Sequence, residues 1–322
     1  LFYGLISYFF FILRTKKIIT SFLIFSLIFG LLEFVRGSIL TGFPWNLIVY
    51  SFANQLEILS ITSIIGTYGF NLFCISLFTS PAIFILRNTK KSIGVLIFFL
   101  ITIIIFYIHG ISYKEKFFKE EKISYDFKIR AIGSNISLDR FYKNLDTLSA
   151  IENLIKISNP IFDEKTIFVW PEGIIPNISQ EDLIEYKWLF KEHFSENHIL
   201  IIGINSHSKK SGSSFYHNSL SIYDNEMNIL NYYNKVNLVP FGEFLPAENI
   251  LKHIGLRSLT NNYQSYSSGE KRKIIEIKKQ NFLLKILPLI CYEIIYSGKL
   301  FKDSEFDIII NISEDGWFGQ SI

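Results

Sequence analysis

The sequence predicts an α/β layered domain attached to a polytopic α-helical transmembrane domain. Long apolar runs fill residues 1–113, charge concentrates after Lys114, and from residue 127 short β-type runs alternate with amphipathic helical ones. Hydrophobic residues make up 49% of the 322, but so unevenly that one globular core does not account for them.

The apolar half comes first. Residues 1–13 read as the tail of a membrane helix, ended by Arg14, Lys16 and Lys17. Residues 18–35 are apolar except for Glu33, enough to cross a hydrocarbon core of ~30 Å at ~1.5 Å per residue. Residues 36–57 are mixed and contain Thr41-Gly42-Phe43-Pro44-Trp45-Asn46, whose aromatics suit an interface. A span over 58–86, longer than needed and carrying Pro81, is followed by Arg87, Lys90 and Lys91 and then by a span over 93–109. Short loops rich in Lys and Arg stay in the cytoplasm. Both basic loops then face inward, residues 36–57 lie outside, and everything from Lys114 on is extracytoplasmic.

Residues 114–126, a run of Lys and Glu, read as a solvated linker. Strands are expected over 127–132, 166–170, 199–204, 218–223, 229–235, 273–277, 283–290 and 307–312, and helices over 140–157, 180–197 and 296–303. The chain starts at Leu1 and stops after Trp317-Phe318-Gly319-Gln320-Ser321-Ile322, so the expectation is a fragment lacking both ends, with no basis for judging a signal peptide.

Composition excludes some functions. A net charge of +3 with no basic stripe argues against nucleic acid as a partner. Of the two cysteines, Cys74 lies in an apolar span and Cys291 in the polar half, so a disulfide framework is not expected. No ligand-spaced His/Cys/Asp cluster and no Gly-rich phosphate loop occurs, so neither metal nor cofactor is expected.

Three strand ends carry chemistry. Trp170-Pro171-Glu172 follows one strand, and Cys291 closes the run Ile286-Leu287-Pro288-Leu289-Ile290, with Glu293 two residues on. Between them, Tyr233-Asn234-Lys235 leads into Val239-Pro240-Phe241-Gly242-Glu243, charges bracketing a rigid turn. Each has a plain alternative: a surface carboxylate, an ordinary loop, an inert buried thiol. Together they supply what thiol acyl transfer requires. A base takes the thiol proton, a cation meets the oxyanion, and the protonated base returns its proton to the leaving group. Glu172, Lys235 and Cys291 fill these needs. A last stretch, Asn311-Ile312-Ser313-Glu314-Asp315-Gly316-Trp317, offers an aromatic lid.

These motifs resemble the Glu-Lys-Cys triad of the nitrilase superfamily. The long form of the second motif, the Asn311 to Gly319 stretch and Thr41 to Trp45 in a membrane region resemble the apolipoprotein N-acyltransferase family more specifically. Glu314-Asp315 departs from that pattern, where a more neutral pair is expected. The resemblance implies a nitrilase-like αββα sandwich over residues 127–322 as an extracytoplasmic catalytic domain, in the inner membrane of a bacterium with the catalytic domain facing the periplasm. It implies Glu172 as base, Lys235 as oxyanion partner, Cys291 as nucleophile, Glu243 and Glu293 as supports, and Trp317 on a loop over the site. It further implies a phospholipid acyl donor, phosphatidylethanolamine by preference, and a diacylglyceryl apolipoprotein as acceptor. A membrane-tethered nitrilase-type amidase would share the triad. A catalytically dead scaffold would have no use for Glu, Lys and Cys at strand ends.

Overall fold

The computed structural model describes residues 1–322 except 40–41, 43, 87–88, 121–123, 135–145, 176, 211, 246–264, 280–281, 297–299, 301–304 and 315–322. Trp317, Thr41, Phe43, Arg87 and Asp315 therefore lie outside the described residues, as does most of the helix expected over 296–303. The chain divides into two units, Leu1–Ile123 and Ser124–Ile322.

The first unit is helical because runs of Leu, Ile and Phe in an apolar setting leave the backbone no partner but itself. It comprises α1 (Phe2–Leu13), α2 (Ile18–Arg36), α3 (Leu56–Leu59), α4 (Thr62–Leu86) and α5 (Lys90–Lys119), with a 3-10 turn at Ile48–Phe52. Three of these, α2, α4 and α5, are long and apolar enough to cross a membrane. The overlong span expected over 58–86 begins as the short α3, and Gly66 (φ 70°) breaks the first turns of α4. Helix α5 runs on to Lys119, six residues into the segment expected as a linker, and Lys116 and Lys119 lie in its last turn.

Glu33, the one charge within the apolar run, is 1% exposed and paired with Arg36 one turn on (Nε to Oε1 3.1 Å, Nη2 to Oε2 3.0 Å). A two-pronged pair is how a carboxylate is tolerated in an apolar bundle. Arg36 also donates to the Trp45 carbonyl at 2.8 Å, fixing the aromatic segment to the end of α2. Gly110 is required where it stands, since a Cβ there would fall 1.7 Å from the Glu57 carbonyl oxygen. Cys74 is buried with Leu47, Val49, Ile61 and Phe70, as an inert small hydrophobe.

The second unit holds two sheets. One has the order β1 (Lys128–Ala131), β2 (Thr166–Val169), β3 (His198–Lys210), β4 (Ser213–Asp224), β5 (Ile229–Asn234); the other is β6 (Ile275–Lys279), β7 (Phe282–Ile290), β8 (Ile308–Ile312). β1, β2 and β3 are parallel, β3–β4–β5 antiparallel, β6–β7 antiparallel and β7–β8 parallel.

Side-chain alternation assigns the faces. Ile199 and Ile201 join Ile167, Leu220, Ile222, Leu284 and Ile286 between the sheets. Leu200, Ile202 and Ile204 turn the other way, onto Ile151, Leu154 and Ile155 of α6 (Thr147–Ser158) and Leu189 and Phe190 of α7 (Lys187–His193). Helix, sheet and sheet are thus three layers of the expected αββα order.

Local differences have local causes. Strand β3 runs six residues past the expected end because 205–210, polar throughout, pair with 213–218 as a hairpin rather than through an apolar face. The helix expected over 180–197 is a 3-10 turn at Asp182–Tyr186 followed by α7, with Asp182 accepting from the Ser179 backbone and hydroxyl instead of continuing a helix.

Candidate active site

Glu172 is positioned by what precedes it. The Trp170 amide continues the ladder beyond β2 by donating to the Ile201 carbonyl at 2.8 Å, and its indole donates to the Ser158 hydroxyl at 2.9 Å in the helix-side core. Pro171 then turns the chain across β3 at Gly203, where a Cβ would lie 2.3 Å from the Pro171 carbonyl oxygen and 2.5 Å from the Glu172 Cα. Only glycine lets the backbone pass so close.

Lys235 follows β5. Its amide donates to the Asn218 carbonyl at 2.9 Å, which sets Lys235, just past the end of β5, beside Asn218 within β4. The Lys235 Nζ is 3.2 Å from Glu172 Oε1 and 2.9 Å from Glu243 Oε1, and the residue is 1% exposed. The Asn218 amide donates to the same two oxygens, at 2.7 and 2.8 Å. Burial works to strip the lysine of its proton, but Glu172 and Glu243 more than offset this and hold the ammonium charged, above its ordinary range. The Glu243 Oε2 accepts from the Val239 amide at 2.8 Å, closing the Pro240-Phe241-Gly242 turn onto the site. Tyr292 brings its ring to 5.6 Å from the Lys235 Nζ.

Cys291 leaves β7 with φ 55°, a left-handed conformation uncommon for a residue with a Cβ. This sharp turn at a strand end directs the side chain away from the strand's own alternation. Burial and then the Glu172 carboxylate push its thiol up to about 11, while the Lys235 ammonium and a hydrogen bond from Ser313 pull it down. Glu172 and Lys235 thus both act on the Cys291 thiol. A carboxyl group beside a thiol, with a cation nearby, is the set that thiolate formation calls for.

Glu293 is fully buried and does not face this cluster. Its carboxylate gathers Tyr233 Oη (2.9 and 3.1 Å), the amides of Val236, Asn237 and Ile290 (each 3.0 Å) and Arg272 Nη2 (3.0 Å). It ties the segment after Lys235 to the turn carrying Cys291.

Five of the six residues singled out in the sequence are therefore placed: Glu172, Lys235, Cys291 and Glu243 in one cluster, and Glu293 beneath it. The sixth, Trp317, lies outside the described residues. Asn218 and Arg272 escaped the sequence reading, and Ser313 entered it only as part of the Asn311 to Gly319 stretch, with no role of its own. Asn218 lies in a strand with no motif around it, and Arg272 belongs to a Glu270-Lys271-Arg272-Lys273 run that resembles a solvated face. Among the described residues no group of three or more His, Cys, Asp or Glu is placed to hold a metal.

Residues 131–322 match the model of the carbon-nitrogen hydrolase family. The chain belongs to this family. Residues 1–80 match the apolipoprotein N-acyltransferase N-terminal domain. The chain is 33% identical over 313 residues to the apolipoprotein N-acyltransferase of Rickettsia prowazekii (strain Madrid E), covering 93% of this chain and 58% of that one. It is likewise 33% identical over 301 residues to that of Wigglesworthia glossinidia brevipalpis, covering 90% and 56%. The chain thus spans little more than half the length of these curated relatives. A carbon-nitrogen hydrolase structure from Helicobacter pylori G27 aligns at 16% identity and TM-score 0.35, over 57% of this chain and 59% of that one, too faint a likeness to add to the assignment.

Proposed function

We propose that this chain is an apolipoprotein N-acyltransferase that works through a cysteine thioester. The observation that carries the reading is the buried cluster in which Lys235 meets both Glu172 and Glu243, with Glu172 and Lys235 both acting on the Cys291 thiol. It joins base, cation and nucleophile in one place, in a chain that also has three helices long enough to cross a membrane.

Glu172 takes the Cys291 proton as the sulfur attacks an ester carbonyl carbon of a phospholipid, with phosphatidylethanolamine our choice of donor. The Lys235 ammonium meets the oxygen of the tetrahedral intermediate, a contribution of about 3 kcal/mol when such a donor is lost. The intermediate collapses by breaking the bond to the glycerol oxygen, Glu172 returns the proton to it, and the lysophospholipid leaves. The free amine of a diacylglyceryl-cysteine lipoprotein then attacks the thioester and gives up a proton. The thiolate departs and is reprotonated, leaving an amide. Glu243 and Asn218 hold Glu172 and Lys235 in register. The basic loops argue for a bacterial inner-membrane location with residues from Lys114 on at the periplasmic side, where both lipid substrates would be found.

A membrane-tethered amidase would use the same cluster, and one assay separates the two. Purified full-length protein is mixed with phosphatidylethanolamine vesicles and a synthetic diacylglyceryl-cysteine peptide. Lysophospholipid and N-acylated peptide should appear in equal amounts. Cleavage of carbon-nitrogen bonds in simple amides, with no acylated peptide, would overturn the reading in favour of the amidase.

A further inference from the structure

Strands β7 and β8 are parallel, and the last residues of both are partners: Ile290 faces Ile312 across the ladder. The next residues, Cys291 and Ser313, leave neighbouring strand ends side by side. Cys291 then turns sharply at φ 55°, whereas Ser313 continues beyond β8 half-buried, with Glu314 buried after it. The parallel register sets Ser313 beside Cys291, and its hydroxyl is among the groups that pull the Cys291 thiol down.

We propose that Ser313 is a further residue of the catalytic machinery, donating its hydroxyl hydrogen bond to the Cys291 sulfur and so favouring the thiolate. This rests on the assignment of Cys291 as nucleophile but adds a partner that the triad lacks. The groups facing the sulfur make such a donor useful. Glu172 and burial both disfavour negative charge there, and Lys235 is shared with two carboxylates, Glu172 and Glu243. A hydroxyl has no charge of its own to neutralise the base beside it. It stabilises the thiolate without lowering the basicity of Glu172, which a second ammonium would do. The proton on Ser313 stays where it is throughout. Only the Cys291 proton moves, to Glu172, and the sulfur gains the Ser313 hydrogen bond as it becomes charged.

The contrast with Glu293 supports the assignment. That carboxylate acts through backbone position and contacts neither sulfur nor ammonium among its hydrogen bonds, whereas Ser313 stands beside Cys291 across the end of the β7–β8 ladder. A structural role and a chemical one therefore predict different readouts for Ser313.

The test uses the full chain in a Cys74→Ala background, with iodoacetamide alkylation of Cys291 followed against pH. Ser313→Ala should raise the alkylation midpoint by about one unit, and so slow alkylation at fixed neutral pH about tenfold. Ser313→Thr, which keeps the hydroxyl, should restore most of it. Glu172→Gln, run in parallel, should move the midpoint the other way. A midpoint unmoved in Ser313→Ala, or equally raised in Ser313→Thr, would overturn the proposal. Alkylation needs no lipid, so this result is independent of whether a phospholipid acylates Cys291. Failure of the function reading would show as a missing acyl-enzyme with the Ser313 shift intact.

Discussion

The Lys235 ammonium lies 3.2 Å from a Glu172 carboxylate oxygen, and the lysine is 1% exposed. A charge so buried is held by Glu172 and Glu243, which share it. The same arrangement is the one the proposed acyl transfer needs, a cation beside a carboxyl group near the thiol.

Base and cation should fail differently. Lys235→Met keeps the stem and removes the charge, so acylation should slow by a hundredfold or more, about 3 kcal/mol, and alkali should recover only the share lost because the ammonium no longer pulls the thiol down. Glu172→Gln removes the base but also the negative charge that holds the thiol up. Its alkylation midpoint should therefore fall below that of the wild type, about 11, and raised pH should partly rescue its acylation. The check is the rate of thioester formation against pH for both variants. Rescue of Lys235→Met by alkali, with none for Glu172→Gln, would mean that the roles are reversed.

Asn218 bridges Glu172 and Glu243 from a single nitrogen. Asn218→Ala removes a hydrogen bond to charged groups, about 1.5–3 kcal/mol, and acyl-enzyme formation should drop roughly ten- to hundredfold. Asn218→Asp places a third carboxylate against the other two and should be worse than Ala. Single-turnover rates for the two variants decide this, and Asp equal to wild type would contradict the bridging role.

Glu293 meets donors from Tyr233, Val236, Asn237, Ile290 and Arg272. Glu293→Gln turns an amide donor into that ring and leaves Arg272 without its buried partner carboxylate. Breaking a buried pair costs about 3–5 kcal/mol, a fall in melting temperature on the order of 10 °C for a unit of this size. A change under about 2 °C by thermal melting would show that Glu293 does not hold the turn.

Topology gives a separate prediction. With Arg14, Lys16, Lys17, Lys90 and Lys91 inside, a reporter fused after Glu120 should be active only on the extracytoplasmic side. Activity in the cytoplasm would remove the argument for lipid substrates of the outer leaflet.

The cluster of Glu172, Lys235 and Cys291 was legible because each ends or follows a strand, where a charged residue or a thiol stands out against apolar runs, and Glu243 and Glu293 belong to the same motifs. The positions of Asn218 and Ser313 beside them were not. Asn218 becomes adjacent to Lys235 only through the β4–β5 register, and Ser313 reaches Cys291 only through the β7–β8 register. Pairing of this kind leaves no trace in local composition. The polar extension of β3 was hidden for the same reason, since residues 205–210 have no apolar face to betray a strand. Membrane helices were easier, because length and hydropathy alone suffice, although the break at Gly66 and the run of α5 to Lys119 depend on backbone detail.

The central claim is that Cys291 carries the acyl group. Intact mass of purified full-length protein after incubation with phosphatidylethanolamine tests it most directly. The wild type and Cys74→Ala should each gain the mass of one acyl chain, released by hydroxylamine as a thioester requires, and Cys291→Ala should gain none. Acylation that survives in Cys291→Ala, or a wild type that never gains the mass while releasing lysophospholipid, would contradict the account.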